Sequence, residues 1–394
     1  MVGVPARGDA SATMASLDLR ALVLAGVAAM AAVNPAFALR GGAVICAAVI
    51  ALTPTGFRPR TADILAVCLA IFTVTSTLWT VAPEATALAV KNQLAVTVVF
   101  LAVRSAILNR RGLLTILVGY LAGCGYALVK QSQGMGAEIA TGVSRLGIEG
   151  QNVNYLAYSL CTALALMVIL WTQRPALVGR IVIVATACAL TIGVLRTGTR
   201  GAEVSVLGLA AWLVWYRYAP RRALAIVYGA VIAASLAILT GYFDQLILLH
   251  LSRTIREAGD LNGRLYMWPY ARRVFAEHLF TGTGAGTFRV LNPLGISAHN
   301  ALLDVGTGLG VVGVCLLVGT LVTALVIGTS AMEARTRNLL VGSMVVVSAP
   351  IFLSGVWDQS PAAWVAIGLF SRIAVLTPSP APAGSENVAE EYVP

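Results

Sequence analysis

The chain has 394 residues, of which 58% are apolar and only 11% charged, about half the roughly 25% charge of a soluble domain, and its mean hydropathy is +0.84. That balance excludes an ordinary soluble domain. The formal charge of +10 does not point to a nucleic-acid partner, because most basic residues fall in short connections between apolar runs, where the positive-inside rule collects them.

The first residues, 1–18, are Ala/Gly/Ser-rich and are expected to form a disordered tail. Apolar runs that approach the ~20 residues needed to cross a bilayer then follow at about 19–39, 41–53, 62–79, 86–103, 113–129, 153–171, 181–195, 201–216, 223–243, 301–326, 339–356 and 362–375. All are expected to be helices, because backbone facing lipid must satisfy its own hydrogen bonds. The expected fold class is all-α: a polytopic integral membrane protein with about twelve transmembrane helices in a membrane domain spanning 19–376. A signal peptide cleaved after the NPAFA stretch is the alternative for the first run, and an uncleaved helix is preferred because the next run begins at once. The Pro/Ala/Glu-rich tail, 377–394, is expected to be disordered. All six cysteines lie within apolar runs and form no Cys-x-x-Cys pair, which argues against a disulfide framework or a zinc site.

Alternate connections carry Arg58 and Arg60, Arg104 with Arg110 and Arg111, Arg174 and Arg180, Arg217 with Arg221 and Arg222, and Arg335 with Arg337. These connections, with both termini, are therefore assigned to the cytoplasm. The single long connection, about 244–298, then lies outside the cytoplasm. Its helical periodicity and aromatic content predict an ordered cap with an interfacial helix near 246–251 and a second helix over 263–280 that contains Pro269.

Four basic or histidine positions stand on the outer face, where positive-inside logic would not place them. Arg145 lies in SRLGIEGQNVNYLAYSL, with Asn154 at the start of the following helix; it reads either as a ligand of an anion or as a solvated loop charge. Arg200 lies in RTGTRGAEVSVLG, where it and Arg196 also read as headgroup-facing charges and Glu203 as an ion-pair partner one turn on. Arg264 and Trp268 stand in NGRLYMWPYARRVFAEHLF, ahead of a GTGAG run, and His299-Asn300 opens the hydrophobic run ALLDVGTGLG. Arg272 and Arg273 read as a solvated or headgroup-facing face. Asn300 reads as an orienting partner of His299 or as a helix cap. Lys91 is an intramembrane charge, a functional suspect by default that snorkelling explains nearly as well. His250 and His278 belong to no motif. The GTGAG run lacks the Lys-Ser/Thr of a phosphate loop and is read as a tight turn returning the chain to the membrane.

This order of Arg, Arg-Gly, Arg-Trp, a Gly-rich loop and His-Asn, spread over about residues 140–316, resembles the O-antigen ligase and O-antigen polymerase superfamily of membrane glycosyltransferases; the first 130 residues match only in hydropathy. The resemblance implies transfer of a glycan from a polyprenyl-diphosphate carrier to an acceptor hydroxyl on the extracytoplasmic face, with inversion. It covers ligase and polymerase alike. The implied partners are a polyprenyl-diphosphate-linked saccharide donor, a glycan or glycolipid acceptor and the bilayer of the inner or plasma membrane, with no nucleic acid and no cofactor. The implied catalytic residues are His299, Arg264 and Arg200, with Arg145, Asn154, Trp268 and Asn300 beside the two arginines in substrate binding. The chemistry suits these residue types: guanidinium forks bind phosphate oxygens bidentately, and a neutral imidazole can accept a hydroxyl proton. No Asp-x-Asp triplet occurs, and the external carboxylates Glu84, Glu138, Glu149, Asp260, Asp304 and Asp358 are scattered in the sequence, so a carboxylate-bound divalent metal is not expected. The rival reading is a polytopic transporter or lipid-linked glycan flippase, for which inverted repeats and interrupted helices would be the signature.

Overall fold

The computed structural model describes residues 18–52, 59–134, 137–140, 143–242 and 264–377. The two expected tails, apart from Asp18 and Thr377, and the interfacial helix and His250 in the first half of the expected cap, lie outside the described residues. The chain order is α1 (Leu19–Val33), α2 (Pro35–Ala51), α3 (Thr61–Leu78), α4 (Pro83–Ala106), α5 (Arg110–Ser132), strands β1 (Ala137–Ala140) and β2 (Val143–Leu146), α6 (Val153–Thr172), α7 (Leu177–Thr197), α8 (Arg200–Tyr218), α9 (Pro220–Thr240), α10 (Arg264–Glu277), α11 (Phe288–Leu291), α12 (Ala301–Gly328), α13 (Ala334–Ser354) and α14 (Pro361–Phe370).

The architecture, helical apart from the one short β1–β2 pair, is that of a multi-pass membrane protein. Eight helices among the described residues have both the length and the apolar composition to cross a bilayer: α3, α4, α5, α6, α7, α9 from Arg222, α12 and α13. Four expected spans fall short of that standard for physical reasons. Helix α1 has 15 residues. Helix α2 is relaxed by a π-helical stretch at Ala38–Gly42. Helix α8 carries Arg200, Glu203 and Arg217 in its end turns. Helix α14 has 10 residues, all buried; at 1.5 Å per residue it reaches about 15 Å, half of a hydrocarbon core.

Helices α6 and α14 form the centre. Their side chains are apolar all round and packed on every side, the pattern of a helix enclosed by others. Helices α7 and α9 lie at the periphery, with exposed Val182, Val184, Ile192, Ile232 and Leu236, a surface suited to lipid. Small residues let backbones meet: a Cβ on Gly119 of α5 would stand 2.4 Å from the Ala25 carbonyl oxygen of α1, the close approach that membrane helix pairs use. At the basic end Asp63 and Arg104 form an ion pair with both side chains 2% exposed, and Arg372 donates twice to the Ile107 carbonyl, at 3.0 and 2.8 Å.

The GTGAG run packs against an opened stretch of α12. The Thr283 and Gly284 amides donate to the carbonyls of Thr307 and Gly308, both at 2.9 Å, and the Val311 amide donates to Leu279 O at 2.7 Å. Helix α12 is interrupted at Gly310, φ 64° and ψ −165°. Side chains are excluded on both sides of this seam: a Cβ on Gly282 would lie 2.3 Å from the Gly308 carbonyl carbon, and one on Gly310 would lie 2.3 Å from that of Phe280. The run is therefore the returning turn expected from its sequence. Its Thr283 and Gly284 amides are occupied by helix carbonyls and its Ala285 amide by the Ser76 hydroxyl, which accepts at 3.2 Å.

Candidate functional site

Three sequence-distant segments meet at Arg145. The β1–β2 hairpin, an element the sequence reading did not anticipate, pairs Glu138 with Arg145 in antiparallel register and delivers Arg145 to the α7–α8 junction. Its Nε donates to Thr197 O at 2.9 Å, and its Nη2 donates to Asn154 Oδ1 at 2.7 Å and to Thr199 Oγ1 at 3.0 Å. The Thr199 hydroxyl in turn donates to Asn154 Oδ1 at 3.1 Å. Arg145 is thus no loosely solvated charge. One edge of its fork is fixed by protein, and Nη1 has no partner among the described residues.

The same network leaves the start of α8 open. Thr199 is the N-cap of α8, yet its side chain makes no capping bond, because its hydroxyl is engaged by Arg145 and Asn154. Helix N-termini carry unpaired amides and a partial positive charge, and here Arg200, exposed, is the first helical residue. One guanidinium is thus fixed beside an uncapped helix end whose first residue, Arg200, carries a second, a combination suited to phosphate oxygens. The Arg200–Glu203 pairing weighed from the sequence is not formed; among the described residues Asp63–Arg104 is the ion pair present. Arg196 is exposed at the end of α7.

His299 sits in a backbone held on both sides. Ahead of it, the Trp268 indole N–H donates to Ala298 O at 2.8 Å while the Ala298 amide donates to Asp304 Oδ1 at 2.9 Å. After it, Asn300 caps α12, accepting from Leu302 N at 3.0 Å and Leu303 N at 3.1 Å, and its Nδ2 donates to Leu353 O at 3.1 Å. His299 itself adopts φ 51°, a left-handed conformation that costs an L-residue about 1–2 kcal/mol. The side chain is half-buried. A strained, over-determined backbone at a titratable residue is a feature that clusters at functional sites.

Both nodes converge on the end of α13. Gly201 lies so close to that helix that a Cβ there would be 2.2 Å from Ser354 Oγ. Tyr158 donates to Ser354 O at 3.4 Å and Tyr155 to Val356 O at 3.3 Å. The rings of Tyr155 and Tyr158 pack on Trp357 with centroids 5.3 and 5.4 Å apart. Beyond Trp357, Asp358 and Gln359 line a cavity of about 140 Å³ shared with Asn92, Arg289, Ser297 and Asp304. Asp304 and Asp358, scattered in the sequence, are thus brought to one cavity. Burial raises the Asp358 carboxyl to about 6, against its backbone hydrogen bonds and the Arg289 charge, which pull it down.

The sequence-derived candidates fare differently. Arg145 and Asn154 come together at Thr199, and Arg200 follows it in the chain as the exposed first residue of α8. His299 and Trp268 come together through Ala298. Trp268 is 4% exposed and its polar atom is engaged, so it positions the loop and offers no surface to a substrate. Asn300 is fully buried and serves as the cap and as a tie to α13, the second of its two readings. Arg264 opens α10, one turn before Trp268; its side chain lies outside the described residues. Arg272 corrects an expectation: it is half-buried and donates to Ile238 O at 3.0 Å, fastening α10 to the end of α9, whereas Arg273 is exposed as expected. Lys91 is exposed on α4 and does not line the cavity. Thr199, Arg289 and Asp358 were not among the candidates. The signal that could have found the last was the polar WDQS break between two apolar runs.

Residues 181–318 match the O-antigen ligase family, a span that contains Arg200, Arg264, Trp268, His299 and Asn300 and leaves Arg145, Asn154 and Asp358 outside it. No relative matches among the curated proteins.

Proposed function

From the premise that this chain belongs to the O-antigen ligase/polymerase superfamily, as the match over residues 181–318 supports, we propose that it is a membrane glycosyltransferase that moves a glycan from a polyprenyl-diphosphate carrier to an acceptor hydroxyl on the extracytoplasmic face. The observation that carries this reading is the Arg145–Asn154–Thr199 network beside the uncapped start of α8. It fixes one guanidinium, presents a second at Arg200 and leaves helix amides for a polyanionic leaving group. In the proposed step the acceptor oxygen forms a bond to the anomeric carbon as the bond from that carbon to the diphosphate oxygen breaks, with inversion and with no metal required. The acceptor's proton passes to His299, and the polyprenyl diphosphate leaves with the electron pair, stabilised by Arg200, Arg145 and Arg264. Membrane-domain limits of 19–376, cytoplasmic termini and an outward-facing site belong to the same proposal; the alternation of basic connections supports them.

The rival flippase reading draws on the interruption of α12 at Gly310, since transporters bind cargo at broken helices. Here the Thr307 and Gly308 carbonyls accept from the GTGAG loop, which favours the enzyme. Purified protein in proteoliposomes, given a polyprenyl-diphosphate-linked oligosaccharide and a glycolipid acceptor without ATP or an ion gradient, is expected to release polyprenyl diphosphate and form the transfer product. Gradient-dependent movement of the lipid-linked saccharide with no product would support the flippase instead.

A further inference from the structure

The cavity between α3, α4, α12 and the α13–α14 connection contains polar groups that the leaving-group chemistry does not use. Asp358 is 6% exposed, and its Oδ1 has no hydrogen-bond partner; Asp304 Oδ2 is likewise buried and unpaired, although Asp304 Oδ1 holds the Ala298 amide. An unpaired buried carboxylate oxygen costs stability, and both residues stand in the wall of one cavity, so a ligand whose hydroxyls reach these carboxylates would offset that cost. Asn92, Gln359 and Gln93 supply amides at the same wall; Asn92 Nδ2 reaches Gln359 Oε1 at 3.3 Å. Arg289 lines the cavity without forming an ion pair to either carboxylate.

The carboxylates make this volume hostile to a diphosphate, and the Arg289 charge weakens its attraction for a cation. A neutral ligand rich in hydroxyl groups fits, since carboxylates and side-chain amides pair with hydroxyl donors and acceptors. The volume, about 140 Å³, is a few times the ~30 Å³ share of one water, which limits the ligand to a single ring. We propose that this cavity is the acceptor subsite, holding one uncharged saccharide ring through hydrogen bonds from its hydroxyls to Asp358 and Asp304, with Asn92 and Gln359 completing the contacts. The Asp304–Ala298 bond then links ring occupancy to the loop that carries His299. This assignment rests on the glycosyl-transfer reading above.

The test uses the full-length protein in nanodiscs, without donor, and saturation-transfer-difference NMR with D-glucose, D-galactose, D-mannose and N-acetyl-D-glucosamine as probes. Saturable binding of at least one is expected. Asp358→Asn is expected to weaken it by about 10- to 100-fold, the loss of a hydrogen bond to a charged group, and Asn92→Ala to weaken it without disturbing the carboxylates. In transfer assays, both variants should raise the acceptor KM and leave the donor KM unchanged. Binding that fails for all four sugars, survives Asp358→Asn and Asn92→Ala, or is replaced by tight binding of Mg²⁺ or Ca²⁺ alone overturns the subsite. Sugar binding by the predicted residues in a protein that never catalyses transfer would leave the subsite standing and remove the transferase reading. Transfer with an unaltered acceptor KM in both variants would do the reverse.

Discussion

Arg145 Nη2 lies 2.7 Å from Asn154 Oδ1, so a hairpin residue and a helix-start residue nine positions apart form one unit with Thr199. Because Asn154 accepts from both Arg145 and Thr199, an acceptor at that position orients the fork. Asn154→Asp keeps an acceptor oxygen and is expected to retain most donor binding. Asn154→Leu removes it and should raise the donor KM by about 10- to 100-fold, as should Arg145→Lys, which cannot span three oxygens. Titration with a polyprenyl-diphosphate-linked saccharide checks the order wild type, Asp, Leu; equal binding by all three would detach the network from the donor.

The Trp268–Ala298 bond gives a second test. Trp268→Phe keeps most of the ring packing against Met267, Phe288 and Leu303 but leaves the Ala298 carbonyl without the indole donor. A cost of about 1–3 kcal/mol is expected for that unpaired group, read as a lower melting temperature. Turnover should fall more than donor affinity, because the peptide before His299 loosens while the arginines stay in place. A variant with normal turnover and a normal melting temperature would show that the bond is dispensable.

Much of the helical frame was legible because long apolar runs leave a chain little choice in lipid. Lengths were less so: the run near 362–375 is hydrophobic enough to span, but the helix there, Pro361–Phe370, has only ten residues and is enclosed by others, and hydropathy cannot tell lipid from protein as the apolar surround. Arg145 and Arg200 could be singled out because charge is unusual on the face expected to be the outer one, and Asn154 because the resemblance places an asparagine at that helix start. Thr199 could not, since nothing local reveals that its hydroxyl forgoes its own helix cap. Asp304 and Asp358 are 54 positions apart and looked scattered until α12 and the α13–α14 connection met at one cavity.

Asp358 makes a pH-dependent prediction. Its carboxyl is raised from 3.8 to about 6 by burial, so the folded state binds the proton more tightly than the unfolded chain. The associated stability is fully present below pH ~4 and is lost as pH rises through 6, a difference on the order of 3 kcal/mol. Asp358→Asn should weaken this dependence, part of which stays with Asp304 in the same cavity, and be the more stable protein at pH 7. Melting curves of both proteins between pH 4 and 7.5 check it; parallel curves would remove Asp358 as the titrating group.

Sidedness follows from a surface residue of the loop before His299. Leu294 is 52% exposed, whereas its neighbour Asn292 is buried and bonds the carbonyls of Phe288 and Ile296, so position 294 is the one to label. In a cysteine-free background, Leu294→Cys is expected to react with an impermeant thiol reagent in intact cells, and Ala334→Cys, exposed at the basic end, only after permeabilisation. The opposite pattern would invert the orientation.

His299 supplies the test that separates backbone from imidazole. Its φ of 51° is imposed from both sides, by the Ala298 bonds and by the Asn300 cap, and glycine adopts that conformation without the Cβ penalty. His299→Gly should therefore melt higher than His299→Ala, by an amount on the order of 1 kcal/mol. If the imidazole is the base that accepts the acceptor proton, relief of strain cannot rescue chemistry: both variants should lose about 10²- to 10⁴-fold in single-turnover transfer, and His299→Gln should do no better, since an amide can hydrogen-bond but cannot take the proton. Donor binding should survive in all three, because the diphosphate contacts are assigned to the arginines. If instead His299 acts only as the residue that turns the chain into α12, glycine will serve that turn at least as well, and His299→Gly will transfer at close to the wild-type rate. Measuring stability, donor binding and single-turnover rate on the same three purified variants decides between a strained hinge and a general base.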